Sequence, residues 1–109
     1  MNIKTIYNKC FNDEYIIKGR AIYNIYGEKA FEFKNGEGFV FNPFVSIDEA
    51  TCASVLIFLT QNGFPKVHNG DNGLFNADSF TNYGFECGCE DLGISVEEGY
   101  NILDYGKTN

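Results

Sequence analysis

Residues 15–34, YIIKGRAIYNIYGEKAFEFK, decide the fold. β-Branched and aromatic side chains dominate, and Tyr15, Ile17, Ala21, Tyr23 and Ile25 fall on one face at period two while Lys18, Arg20 and Asn24 fall on the other. That alternation predicts one long strand from Tyr15 to Tyr26. Gly27-Glu28 then turns the chain into Lys29–Lys34, where Phe31 and Phe33 point inward between Lys29, Glu32 and Lys34. Asn35-Gly36 has the positive-φ preference of a tight hairpin turn, and Phe39 and Phe41 continue the apolar face beyond it. A three-stranded antiparallel meander is the expected product.

Downstream, Ser46-Ile47-Asp48-Glu49 reads as a capping box, in which the Ser46 hydroxyl and the Glu49 carboxylate satisfy backbone donors at a helix start. A helix is expected from Ile47 through Ala50, Ala53, Leu56, Ile57 and Leu59 to Asn62, stopped by Gly63 with Pro65 just beyond. It is apolar nearly all round, so it must lie against the sheet. Phe64 to Gly73 has turn chemistry, and a short strand is expected around Tyr83 to Cys87. Ser95-Val96-Glu97-Glu98 repeats the capping box and opens a last helix with Val96, Tyr100 and Leu103 on its apolar side, closed by Gly106. Upstream, Ile3, Ile6, Tyr7, Cys10 and Phe11 match helical spacing, although Ile, Thr and Tyr also suit a strand; helix is the preferred reading. The expected architecture is a single α+β domain over residues 1–109, an antiparallel β-meander packed against a central apolar helix, with a short C-terminal helix.

Composition bounds what such a domain can do. Eleven Phe and seven Tyr among 109 residues supply enough volume for a core without disulfides or metal. Met1-Asn2-Ile3-Lys4 does not open a signal peptide, since no apolar stretch follows before Lys9 and Asp13. The longest apolar run, Val55 to Leu59, is far below the roughly 20 residues needed to cross a bilayer. A cytoplasmic location in a bacterial host is therefore expected, and with it reduced thiols at Cys10, Cys52, Cys87 and Cys89. The net charge of −7 is unevenly placed: residues 1–65 hold seven acids against six bases, whereas residues 66–109 hold eight acids against two. Such a field repels nucleic acid and anionic membrane and favours basic partners.

Motifs for catalysis are thin. Cys87-Gly88-Cys89 could bind a soft metal with Cys52, Cys10 or His68, or form a redox pair, but zinc sites usually show a longer C-x₂₋₄-C spacing in duplicate, and reduced structural cysteines are the simpler reading. His68-Asn69-Gly70-Asp71-Asn72-Gly73 carries oxygen donors, yet it fails the calcium-loop spacing, because Leu74 stands where glycine is needed and no Glu closes the loop. Gly36-Glu37-Gly38 runs into a strand rather than a helix, so it is no dinucleotide fingerprint. A cysteine, His68 and Asp71 can be assembled into a nucleophile and base only on paper. The chain reads as a non-enzyme without a cofactor.

The acidic segment is what remains. Glu86, Glu90, Asp91, Glu97 and Glu98 fall within thirteen residues that contain no Lys or Arg, and on the last helix Glu97, Asn101 and Asp104 share an outward face. Glu97 and Asp104 would stand about 10.5 Å apart along it. The plainer reading is a solvated face that keeps the protein soluble; the sharper one is an interface for a basic groove. Tyr100, beside these acids, is a candidate anchor, with core placement as its competitor. In size, charge and the segment Glu86 to Asp104, the chain resembles the small acidic anti-CRISPR and antirestriction proteins of phages and mobile elements. That resemblance is one of general character and transfers no residue. It implies a nucleic-acid mimic that inhibits a defence enzyme such as a CRISPR or restriction nuclease by filling its basic groove. The expected partner-binding set is then Glu86, Glu90, Asp91, Glu97, Glu98, Tyr100 and Asp104. The alternatives are a protein-interaction or homo-oligomerising domain using the aromatic sheet edge, and a small thiol- or metal-dependent enzyme.

Overall fold

A computed structural model describes residues 2–34, 38–41, 46–63, 67–69 and 80–108, with side chains for these except 33–34, 38–41, 67–69 and 104–108. The elements run α1 (Ile3–Cys10), β1 (Ile16–Lys18), β2 (Ala21–Tyr23), β3 (Lys29–Lys34), β4 (Gly38–Phe41), α2 (Glu49–Gln61), β5 (Val67–Asn69), α3 (Asn82–Leu92) and α4 (Val96–Thr108). The fold is α+β, as expected. The five strands form one sheet in the order β1-β2-β3-β4-β5.

The first segment is a helix because its end is capped and its stripe is buried. Asn2 Oδ1 accepts from the Thr5 amide at 2.9 Å, and Ile6 and Cys10, four residues apart, face the core. The expected long strand from Tyr15 to Tyr26 is instead a hairpin, β1 and β2, pairing Ile16 with Tyr23, Ile17 with Ile22 and Lys18 with Ala21. Gly19, at φ +60°, opens the two-residue reversal. The reversal alters which side chains are covered: Ile22, which the alternation would set with Lys18 and Arg20, is fully buried next to buried Ala21, and Ile25, expected inward, lies in the turn beyond β2 and is 63% exposed. The Gly27-Glu28 turn forms as expected, with Asn24 Oδ1 accepting from the Tyr26 and Glu28 amides at 3.0 Å each.

β3 lies inside the sheet, and both Ala30 and Phe31 are buried. It pairs antiparallel with β4, Lys34 opposite Gly38. The Asn35-Gly36 turn and the side chains of Phe33, Phe39 and Phe41 lie outside the described residues. The meander thus has four strands rather than three, and β5 adds a fifth in parallel to β4, with Val40 opposite His68. A parallel neighbour needs a crossover, and α2 supplies it. Turn chemistry around Val67–Asn69 concealed this strand.

α2 begins two residues later than expected. Asp48, not Ser46, is its N-cap: Asp48 Oδ2 accepts from the Thr51 amide at 3.0 Å, while Ser46 is buried and Glu49 turns away to another partner. The helix ends at Gln61, followed by Asn62 and by Gly63 at φ +86°. Thr51 to Ile57 and Leu59 are all buried or nearly so, which a helix can manage only if it is covered on every side. Its apolar side chains share one cluster with Ile6 and Phe11 near α1, Ile22 and Phe31 from the sheet, Phe85 from α3 and Leu103 from α4.

The strand expected around Tyr83 to Cys87 is a helix, α3. Thr81 caps it, Oγ1 accepting from the Gly84 amide at 3.1 Å, and Gly93 at φ +74° ends it. What makes helix win over the β-prone composition is packing: Gly84 and Gly88, one turn apart, let α3 lie directly on α2. A Cβ on Gly88 would stand 2.5 Å from Ala53 Cβ and 2.8 Å from the Ala50 carbonyl oxygen. The Ser95 box does form at α4, Ser95 Oγ accepting from the Glu98 amide at 3.1 Å, but the helix continues past Gly106 to Thr108.

Candidate functional site

α3 has two opposed sides. Gly84, Phe85, Gly88 and Cys89 are buried, and Tyr83, Glu86, Glu90 and Asp91 are exposed. Tyr83, Glu86, Cys87 and Glu90 follow the i, i+3, i+4, i+7 rule, so they form a single outward stripe. The buried side is anchored twice to α2. Ser54 Oγ donates to the Gly88 carbonyl at 2.9 Å, and one Glu49 carboxylate oxygen accepts from both the amide, at 2.9 Å, and the hydroxyl of Thr81. That carboxylate sits over the first turn of α3, where the helix dipole favours negative charge. The outward stripe therefore stands on a rigid base.

α4 adds Glu97, Glu98 and Asn101 as exposed residues. Glu98 also belongs to the Ser95 cap. Tyr100 is half-buried and stacks on Phe85, ring centroids 4.3 Å apart and 17° from parallel, so its ring is engaged with the core. Asp104 lies on α4, with its side chain outside the described residues. The exposed aromatic of this surface is Tyr83, at 77% exposure. Its place beside these acids was hidden because the strand reading gave it no face in common with Glu86 and Glu90. Helical spacing alone would have revealed it. Five expected acids, Glu86, Glu90, Asp91, Glu97 and Glu98, are exposed on the two helices, and no Lys or Arg occurs between Lys66 and Lys107.

The cysteines do not converge. Cys87 and Cys89, two residues apart on a helix, point about 200° apart: Cys89 is buried, and a Cβ on Gly99 of α4 would meet its Sγ at 2.5 Å. Burial pushes the Cys10 thiol up to about 12, with smaller opposing effects from Lys9 and Asp91. Burial likewise raises Cys52 and Cys89. These are the reverse of activated thiols. Among the described residues, no three His, Cys, Asp or Glu side chains gather to hold a metal ion. His68 lies on β5 with its side chain undescribed, and Gly70 to Gly73 lie outside the described residues.

A second feature lies where the sheet meets α2. Tyr15 Oη donates to Asp48 Oδ1 at 2.6 Å, Thr51 Oγ1 donates to the same oxygen at 2.7 Å, and Tyr7 Oη donates to the Tyr15 carbonyl at 2.5 Å. Burial alone would raise the Asp48 carboxyl, but the hydrogen bonds from Tyr15 and Thr51 outweigh it and hold the group below its usual range. Burial, and then the bond to Asp48, pushes Tyr15 up to about 12. An open pocket of about 330 Å³ lies beside this network, lined in part by Glu14, Asn24, Tyr26 and Ser46. Three hydrogen bonds from Tyr15 and Thr51 converge on the Asp48 carboxylate, which both caps α2 and ties it to the segment before β1.

No helix among the described residues is long and apolar enough to cross a membrane. Comparison of the chain with known protein families, curated proteins and solved structures finds no match.

Proposed function

We propose that this protein is a binding module that inhibits a nucleic-acid-handling enzyme by presenting the acidic faces of α3 and α4 to that enzyme's basic groove. One observation carries the reading: α3 holds Tyr83, Glu86 and Glu90 on one solvent-facing stripe, while its opposite side is hydrogen-bonded to α2 at both Ser54 and Glu49. Fixed acids spaced along a helix, with an aromatic at one end, suit a surface evolved to hold phosphates. Long-range attraction would speed the encounter, and Tyr83 would supply the desolvated anchor. The charge favours a basic surface, and a defence nuclease of a bacterial host is the partner class that the resemblance to anti-CRISPR and antirestriction proteins implies.

The test is affinity capture from host lysate and against purified candidate nucleases, comparing the native chain with the triple variant Glu86→Lys, Glu90→Lys, Asp91→Lys. None of these three acids belongs to a cap, so the variant should keep its helical circular dichroism. A basic partner released by added DNA or RNA, and lost by the folded triple variant, is the expected result. Equal capture of the same partner by both proteins would show that the acidic stripe is only a solvated face.

A further inference from the structure

The pocket beside the Tyr15 and Asp48 network joins negative charge to bare apolar surface. Glu14 and Asp48 both line it, with Ile25 and Tyr26, and among the described residues no Lys, Arg or His does. Glu14 and Asp48 are exposed. Asp48 is held in its charged form near neutrality, and the groups that donate to it, from Tyr15 and Thr51, are all neutral. Tyr26 is 79% exposed and Ile25 63%, so an aromatic ring and an aliphatic rim stand open beside two carboxylates.

The walls of this concavity are already fixed. Asn24 Nδ2 donates to the Ser46 carbonyl at 3.3 Å and to Glu28 Oε1 at 3.0 Å, while Asn24 Oδ1 accepts from the Tyr26 amide at 3.0 Å. The turn that bears Ile25 and Tyr26 is thereby tied to the segment leading into α2. A site with bonded walls loses little conformational freedom when it is filled.

An arginine side chain answers each of these features. Its guanidinium donates to carboxylate oxygens while its plane lies on an aromatic face, and its aliphatic stem takes apolar cover. Lysine has a compact, strongly hydrated head without the plane. Free arginine would bring its own carboxylate towards Glu14 and Asp48 with no base in the lining to receive it, a charge that is absent within a peptide chain. We propose that this pocket receives an arginine side chain of a partner protein, its guanidinium facing the Glu14 and Asp48 carboxylates and its plane against the Tyr26 ring. The inference does not rest on the inhibitory role, which belongs to α3 and α4.

Nuclear magnetic resonance titration of the full chain tests it, with N-acetyl-arginine amide as the probe and the corresponding citrulline and lysine amides and free arginine as comparisons. Saturable shifts of the Glu14, Ile25 and Tyr26 amides are expected with the capped arginine, at a dissociation constant on the order of millimolar for so small a probe. The uncharged citrulline should not saturate, and lysine and free arginine should bind at least about threefold more weakly. Glu14→Gln and Tyr26→Ala should each weaken binding about threefold to tenfold. Both residues are exposed, so circular dichroism should be unchanged, and Asp48 is left intact because it caps α2. No saturation at tens of millimolar, shifts centred on Glu86 and Glu90 instead, equal binding of any comparison compound, or full affinity in either variant would each overturn the proposal.

Discussion

Ser54 Oγ donates to the main-chain carbonyl of Gly88 at 2.9 Å, across a helix crossing so close that a Cβ on Gly88 would stand 3.1 Å from the Ser54 amide nitrogen. α2 contributes Ala50, Ala53 and Ser54 to this contact, and α3 contributes Gly84 and Gly88. The close approach both orders α3 and points Tyr83, Glu86 and Glu90 outward.

Replacing Gly88 by Ala should therefore cost about 2–3 kcal/mol, because the added methyl meets main-chain atoms that can yield only if the helices separate. Gly84→Ala should cost less, since the group in its way is the end of the Glu49 side chain, which can swing aside at the expense of its bonds to Thr81. Ser54→Ala should cost about 1 kcal/mol for one buried hydrogen bond. Urea unfolding of the three variants checks the order, and equal losses at Gly84 and Gly88 would contradict the crossing as described.

The Tyr15 and Asp48 pair should shape both limbs of the stability profile. Asp48 is held below its usual pKa in the fold, so its contribution is complete above the unfolded value of about 3.9 and disappears as pH falls through the lower folded value. Tyr15 is raised to about 12, so its contribution is complete below about 10 and is lost as pH rises towards the folded value. Asp48→Asn should flatten the acid limb, and Tyr15→Phe should reduce the slope of the alkaline limb. Each should also lower stability near neutrality by about 1–2 kcal/mol, through a weakened cap or a lost bond. Thermal melts from pH 2 to pH 11 would show whether the two limbs respond separately.

Thiol reactivity should be divided by the helix geometry. Cys10, Cys52 and Cys89 are buried and Cys87 is partly exposed, so an alkylating reagent under native conditions should label Cys87 first and spare the other three until the chain unfolds. Peptide mass mapping with time distinguishes this from a reactive Cys87 and Cys89 pair, for which both would be labelled together.

Tyr83 should matter for binding and not for folding. With 77% of its surface exposed, its replacement by Ala should leave stability within about 0.5 kcal/mol. If it anchors the proposed interface, affinity for the captured partner should fall at least about tenfold, and the residual binding should still weaken as salt rises. Titration calorimetry at two salt concentrations separates the aromatic contribution from the acidic one.

Much of the candidate surface is legible in the sequence. The run of acids without bases depends on composition alone, and Glu86, Glu90, Asp91, Glu97 and Glu98 are exposed because ionised carboxylates are costly to bury. Tyr100 and Tyr83 were not distinguishable in that way. Both are amphipathic rings, and which one packs on Phe85 depends on α3 being a helix and on Gly99 admitting α4 close to Cys89 and Phe85.

By itself the sequence determined the features that rest on neighbours in the chain. These are the stripe of α1, the Gly27-Glu28 turn, the apolar run of α2 with its stop at Gly63, and the Ser95 cap of α4, each set by contacts within about four residues. The tertiary structure decided the rest. It chose Asp48 over Ser46 as the α2 cap through a bond to Tyr15, 33 residues away, and helix over strand for residues 82–92 through Glu49 and Ser54, 32 and 34 residues from their partners. It also paired β5 with β4 across the whole of α2. Local propensities at these places were close to balanced, so the free energy of contacts between distant residues settled each choice, and no short window of sequence contains those contacts.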